Sequence, residues 1–397
     1  MFAILSLSAH AGLNSGPEYA ALVNLFNSTN GASWTKGSSG TGVWALGTDA
    51  CGWFGITCDQ DTNPADNTSH VIVIDLQSNN LMGTLQPISS FTQLHDFQVR
   101  NNALTGSIPA VTGLTQLTIL DVGHNLLSGS IPSLAGTNVE FLEVFDNQLT
   151  GPLPSLSGLN PYAIYAYNNQ LTGPLPVLTG ATNLQFFEVN KNNITGSLPA
   201  LTGLTQLQRF LVDSNQLSGS LPAMSGLTSL QLFDAHANQL SGPLPALTGL
   251  TALQSFDISH NQVSGSLAPL TGLPNLGYFF INNNKVTGPI PALSGLTSLV
   301  TFDVSNNQLS GTVPAIATLS TLHYFVVGTN LLTGAVPPAA PALVSGGSSL
   351  CPNLLNLTPQ PAIDPAWITA TGGYSPWWAI PSSNNACDEL FRDSLGG

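Results

Sequence analysis

Asp213, His236 and Ser259 are the residue types of a nucleophilic triad, and they recur at a constant interval of 23 residues. In such a triad a carboxylate orients an imidazole, which takes the proton of a serine hydroxyl. His236 and His260 with Asp234 and Asp257 offer a second chemistry, because imidazoles and carboxylates brought together are donors for zinc or another divalent ion. A third group, Phe145, Tyr165 and Tyr167 with Glu143, Glu188 and Lys191 around them, suits recognition rather than reaction. Aromatic anchors inside a charged rim carry much of the binding energy at interfaces. What each group can do depends on how the chain repeats.

The stretch LTGLTQLQRFLVDSNQLSGSLPA, residues 201–223, has near copies on both sides, ATNLQFFEVNKNNITGSLPA before it and LTSLQLFDAHANQLSGPLPA after it. Aligned on Asn215, the copies place Asn79, Asn102, Asn125, Asn147, Asn169, Asn192, Asn215, Asn238, Asn261, Asn284, Asn307 and Asn330 at one position. The steps are 23 residues except for the two of 22 around Asn147. Twelve turns at this period read as a solenoid.

Within the Asn215 turn, the alternation around Phe210 and Val212 predicts a short strand with those side chains inward and Arg209, Leu211 and Asp213 outward. Stacked strands then form a parallel sheet. Phe97, Phe187, Phe210, Phe233, Phe256, Phe279, Phe302 and Phe325 share one column and form a buried spine, each covering on the order of 150 Å². The asparagine column must bond to backbone of the neighbouring turn, since a buried amide is costly unless paired. LSGSLP supplies a second extended piece that Pro222 ends, and ALTGLTQ is too short and glycine-rich for a long helix.

This frame weighs the three chemistries. Neighbouring strands hold Asp213, His236 and Ser259 about 4.8 Å apart on an open face with no oxyanion hole, so no catalytic residue is expected. No metal site and no cofactor are expected either, the His236, His260, Asp234 and Asp257 group being weaker than the recognition reading. The position after the phenylalanine column carries Asp75, Asp121, Glu143, Glu188, Asp234, Asp257 and Asp303. That carboxylate stripe either favours a basic partner or a divalent cation, or only keeps the sheet soluble. The binding surface is therefore expected at Glu143, Phe145, Tyr165, Tyr167, Glu188, Lys191, Asp213, Asp234, His236 and Asp257, with a second patch at Tyr278 and Phe280 beside Tyr324. Adventitious aromatics on a sheet that favours them are the bland alternative.

The second extended piece carries paired hydroxyls, Thr105 and Ser107, Ser128 and Ser130, Thr195 and Ser197, Ser218 and Ser220, Ser264 and Ser266, Ser310 and Thr312, with Pro152, Pro174, Pro243 and Pro289 interrupting the second row. Such an uncharged array suits ordered water, hence ice.

Composition narrows the partners. The chain of 397 residues is 43% hydrophobic but only 7% charged, with a formal charge of −14. Lys36, Arg100, Lys191, Arg209, Lys285 and Arg392 are scattered, so the basic track that nucleic acid requires is missing and an anionic membrane is disfavoured. MFAILSLSAHA, residues 1–11, is a short apolar run ending in a small-x-small sequence of signal-peptidase form, though no basic residue precedes it. No apolar run reaches the roughly 18 residues of a membrane span. Of the three ways to pair four cysteines, only Cys51 with Cys58 and Cys351 with Cys387 keeps each bridge at one end of an elongated body. CGWFGITC has no CxxC spacing, which argues against a metal site there. Asn27, Asn67, Asn193 and Asn356 begin Asn-x-Ser/Thr sequons, glycosylated only in a eukaryotic secretory route.

The pattern LxxFxVxxNxLSGxLP resembles the leucine-rich repeat, in particular the plant-type subclass with its added LxGxIP strand. EYAALVNLFNSTNGASWTKG and WALGTDACGWFGITCD resemble the N-terminal cap of that family, in which a helix precedes paired tryptophans and a CxWxGxxC disulfide, with Trp44 and Trp53 at the tryptophan positions. The resemblance covers Glu18 to about Pro337. It implies a leucine-rich-repeat solenoid: a curved right-handed superhelix with a parallel concave β-sheet, second short strands, few or 3-10 helical turns and disulfide-bonded caps. The implied organisation is a signal peptide at 1–11, an N-terminal cap at 12–70, twelve repeats at 71–336 and a C-terminal cap or tail at 337–397. Two departures stand out: the period is 23 where that subclass usually has about 24, and the stretch from Cys351 with Trp367, Trp377 and Trp378 is not a plant-type cap.

Free-standing members of that form include inhibitors of cell-wall polygalacturonases and ectodomain-like recognition proteins. The resemblance thus implies a secreted, monomeric, non-enzymatic protein that binds a protein partner on its concave sheet, such as a cell-wall-degrading enzyme or a surface receptor. The alternative is a surface protein that binds ice, a glycan or another polysaccharide of the matrix through its hydroxyl rows.

Overall fold

The computed structural model describes residues 12–59, 69–356 and 358–373. The leader at 1–11, Trp377, Trp378 and Cys387 lie outside the described residues. The chain forms two compact units, Met1–Ala181 and Thr182–Gly397.

The first unit opens with the helix Gly16–Ser28, which buries Ala21, Leu22 and Leu25. Its Glu18 is buried too, and the carboxylate accepts the Val71 amide at 2.9 Å, tying the helix to the first long strand. Beside it Trp44 packs on both Trp34 and Trp53, with centroids 4.9 Å apart in each case. Cys51 and Cys58 are bonded, as expected; Cys351 is disulfide-bonded as well. Gly55, between the first two, has φ +77°, and a side chain there would strike the Asp75 carbonyl. The strand Ile56–Cys58 pairs antiparallel with Val71–Asp75, and Asp96–Gln98, Ile119–Asp121, Phe141–Glu143 and Ala163–Tyr165 follow in parallel. The inward column of this unit is largely aliphatic: Ile74, Phe97, Leu120, Leu142 and Ile164.

In the second unit the parallel strands are Phe186–Glu188, Arg209–Leu211, Leu232–Asp234, Ser255–Asp257, Tyr278–Phe280, Thr301–Asp303 and Tyr324–Val326. Phe187 pairs with Phe210, Phe210 with Phe233, and so on, because the repeat length equals the register step. The rings are fully buried and stack at 5.3 to 5.8 Å with interplanar angles of 12 to 17°. Trp367, on the helix Asp364–Ala370, ends the stack: it is fully buried, lies 6.3 Å from Phe325 and donates its indole N–H to the Pro337 carbonyl. Within the described part of the C-terminal stretch, Trp367 thus closes the end of the phenylalanine stack.

The asparagine column bonds as its chemistry requires. Asn215 Nδ2 donates at 3.1 Å to the carbonyls of Val212 and Asp213 in its own turn and of Val189 in the turn before, while its Oδ1 accepts the Ile194 amide at 2.9 Å. Asn353 repeats the pattern, donating to Val327 and Leu350 and accepting from Leu332. The ladder therefore runs one rung past the twelve counted in the sequence, a rung that CPNLL conceals because no LxGxLP follows it. Before each of the twelve ladder asparagines from Asn79 to Asn330 the residue is left-handed, as at His124, Asp146, Lys191 and Ser214.

The second sheet has a different register. Ser197 pairs with Ser218, Ser220 with Ser241 and Ser266 with Thr287, so partners stand 21 residues apart where the repeat is 23. A slip of two residues leaves every side chain on its own face, since strand alternation has a period of two. It sets the hydroxyl rows obliquely across the strands. The connections opposite are 3-10-like turns, such as Leu204 N–H to Leu201 carbonyl.

Candidate functional site

After Val71–Asp75 the parallel main strands are three residues long, and the chain then runs on in extended form to a left-handed corner. In the turn of Asn147, Leu142 and Val144 point inward and are fully buried, so Glu143 and Phe145 share the outer face. On the turns before it, Asp121 and Gly123 occupy the same two positions, and Gln98 and Arg100 those before them. The absence of a side chain at Gly123 decides where Phe145 goes. A Cβ there would meet the Phe145 ring at 2.7 Å, so the ring lies across the Gly123 backbone. This brings the Arg100 guanidinium to 4.7 Å from its centroid, and Tyr167 stacks on the ring at 4.8 Å and 16°.

Arg100 Nη1 also stands 3.6 Å from Glu143 Oε2, an ion pair across two turns. Below lies Asp121, only 4% exposed, whose carboxylate accepts the Gly123 amide at 3.0 Å. Burial, reinforced by the nearby Glu143 charge, raises its pKa to about 7. Burial also raises Glu143, against the pull of Arg100. The corner residues form the rim: His124 Nδ1 is 3.3 Å from Asp146 Oδ2, Asn168 donates to Asp146, and Asn101 donates to Ser78 Oγ at 2.8 Å. Gln77, Ser78, Arg100, Asn101, His124, Phe145, Asp146 and Tyr167 line an open cleft of about 550 Å³. It offers an aromatic wall, one fixed cation and amide donors and acceptors, the equipment for holding a side chain and its backbone.

Of the expected surface, Glu143, Phe145, Tyr165 and Tyr167 come together in the first unit. Tyr165 pairs in register with Glu143, and both tyrosines are half-buried. Phe145 departs from the exposed aromatic expected from sequence: it is 5% exposed, covered by Arg100 and Tyr167. Arg100, Gly123, His124 and Asp146 did not emerge from the sequence reading. Arg100 and Gly123 were detectable in principle, because they stand two residues before Asn102 and Asn125, as Phe145 does before Asn147.

The remaining expected residues lie in the second unit. Glu188 is buried, with Arg209 Nη1 3.1 Å from Oε1, and burial raises its pKa. Lys191 is an exposed left-handed corner with φ 54°. Asp213, expected outward, is 5% exposed because His236 leans over it, Nε2 to Oδ2 3.9 Å. His236 gives its other nitrogen to Asp234 at 2.8 Å, and that hydrogen bond raises the imidazole pKa to about 9. Asp257 bonds the Ser259 amide at 2.8 Å, and burial raises it. Tyr278 is exposed, and Phe280, half-buried, pairs in register with Asp257. The triad geometry does not form: both imidazole nitrogens face carboxylates, and the Ser259 hydroxyl bonds Asp257. His260 takes no part in the histidine–carboxylate group, since it is a left-handed corner whose Nε2 faces Asn283.

The family model described as Leucine Rich Repeat matches residues 298–318. No curated protein matches the chain. Among solved structures it is similar to the plant peptide hormone receptor RGFR1 in complex with RGF2, at 25% identity and a TM-score of 0.56, over 70% of this chain and 55% of that one. The ectodomain of the Arabidopsis receptor kinase HAESA, in complex with an extended IDA peptide hormone, is 28% identical with a TM-score of 0.52, over 70% and 57%. A plant ice-binding protein is 25% identical with a TM-score of 0.52, over 77% of this chain and 91% of that one. The chain therefore spans little more than half the length of these receptor chains. Among the described residues no helix is long and apolar enough to cross a membrane.

Proposed function

We propose that this leucine-rich-repeat solenoid of plant ectodomain type is a secreted, non-enzymatic binding protein that takes a segment of a protein partner on the outer face of its main sheet. The observation that carries the reading is the open cleft of about 550 Å³ walled by Phe145 and Tyr167 and fixed by Arg100. Preorganisation favours it: the Arg100, Glu143 and Phe145 side chains already hold one another, so little rotamer freedom remains to be lost on binding. The receptor ectodomains it resembles were solved with peptide hormones. A cell-wall-degrading enzyme or a surface receptor are the partner classes that suit an extracellular protein of this form.

The test is selection from a peptide display library on the full chain and on its Tyr167→Ala variant. The wild type enriches a common segment, and the variant binds that segment at least about tenfold more weakly, as loss of an aromatic anchor predicts. Enrichment that is the same on both overturns the assignment of this cleft.

A second reading rests on the other sheet. Ser218, Ser220, Ser266 and Thr287 are exposed on strands paired in one six-stranded sheet, and a plant ice-binding protein is among the similar structures. Measured thermal hysteresis that disappears in a Ser220→Tyr, Thr287→Tyr variant would move the function to that face.

A further inference from the structure

The group left over from the sequence reading, Asp213, Asp234 and His236, is more than a solvated cluster. One ligand atom from each lies within 4.8 Å of the others. His236 is held at two points by Asp234 Oδ1, which accepts both its ring nitrogen Nδ1 at 2.8 Å and its own backbone amide at 3.0 Å. That anchoring leaves Nε2 directed at Asp213 Oδ2, 3.9 Å away. Two donors at this separation can share an ion that sits roughly 2.0–2.2 Å from each. A carboxylate on one imidazole nitrogen with the metal on the other is how metal-binding histidines are oriented.

A second observation comes from the turn before. Asn190 occupies the position of Asp213 one repeat earlier, and the amides of Val189 and Lys191 bond Leu211 and Asp213 across that pair of turns. Its side-chain oxygen Oδ1 is buried without a hydrogen-bond partner. A buried carbonyl oxygen left unpaired is costly and calls for a partner on this face. Asn190, Asp213 and His236 thus place an oxygen, an oxygen and a nitrogen in one column of three consecutive turns.

We propose that Asp213 and His236 bind a divalent transition ion of the zinc class, with Asp234 as the residue that positions the imidazole. The imidazole donor selects against calcium and magnesium, which prefer oxygen alone. The His236 side chain is 34% exposed, which leaves an entry path. Ser214 Oγ donates to Asp213 Oδ2 at 3.1 Å and fixes the carboxylate. The site does not involve His260 or Ser259, and it departs from the expectation of no metal. It is independent of the peptide-binding cleft in the other unit.

The test is titration of the full chain with zinc chloride, followed by calorimetry, thermal unfolding and the histidine ring signals in NMR. The expected result is one saturable equivalent, a rise in melting temperature and a selective shift of the His236 ring signals. His236→Gln removes the saturable equivalent. Asp234→Asn weakens it by about 10–100-fold, the usual effect of losing an orienting carboxylate. Calcium chloride at the same concentrations leaves the ring signals in place. The proposal is overturned by zinc that binds without saturation, by binding unchanged in His236→Gln, or by calcium that shifts the same signals equally. The NMR reading uses the wild type, so it stands even where a variant folds poorly.

Discussion

The Arg100 guanidinium lies 4.7 Å from the centroid of the Phe145 ring, two turns along the same column, because nothing but backbone occupies Gly123 between them. The cation is held by the ring and by Glu143, and the ring is held by the cation and by Tyr167. Removing the gap should therefore dismantle the wall.

Gly123→Ala places a methyl group in the Phe145 ring and should cost about 1–3 kcal/mol of stability, the usual penalty of overpacking. The comparison is Gly295→Ala, where a Cβ meets nothing and φ is not left-handed. That change should be neutral or stabilising by up to about 1 kcal/mol. Thermal unfolding of both variants checks the difference in sign.

Asn238 donates to the carbonyls of Val212, Ala235 and His236 and accepts the Leu217 amide. Asn238→Ala leaves these groups buried and unpaired, at a cost of roughly 1–3 kcal/mol. Asn238→Asp should be worse at neutral pH, where a carboxylate faces three carbonyl oxygens. It should recover in acid, when the protonated form can donate again. Denaturant unfolding at two pH values distinguishes the pair.

Asp121 is raised by burial from 3.8 to about 7 in the folded chain. The folded state then binds more protons than the unfolded state between those values, so this contribution is fully present below about 3.8 and is lost as pH rises through about 7. Glu143, also raised by burial, acts in the same direction. The melting temperature should fall as pH increases across this window, and Asp121→Asn should flatten the fall because Oδ1 can still accept the Gly123 amide. A wild-type melting temperature that rises over the same window would contradict the burial argument.

Thr329 is an exposed β-branched residue with φ 56°, a conformation that costs an L-residue about 1–2 kcal/mol. Its side chain is not needed for the ladder, since its carbonyl accepts the Asn307 amide. Thr329→Gly relieves that strain but adds freedom to the unfolded chain at about 0.5–1 kcal/mol, for a net gain of up to roughly 1 kcal/mol. Chemical denaturation measures it directly.

The sequence by itself determined the scaffold. A period of 23 equals the register step of the main sheet, so Phe187, Phe210 and their successors had to stack, and a buried amide at Asn215 had to bond across turns. The cap motif likewise placed Cys51 with Cys58 and Trp44 against Trp53. The stack and the ladder follow from alternation and periodicity, which are local and additive, whereas the cap was read from its resemblance to a family motif. The outer face was legible only as a set of columns. That Phe145 folds across Gly123 to reach Arg100, that His236 covers Asp213 and turns away from Ser259, and that the hydroxyl rows slip by two residues were decided by the tertiary structure. Each depends on a side chain long enough to cross strands about 4.8 Å apart and on whether the neighbouring turn leaves room for it. Periodicity fixes which residues share a face, but only packing fixes which of them meet.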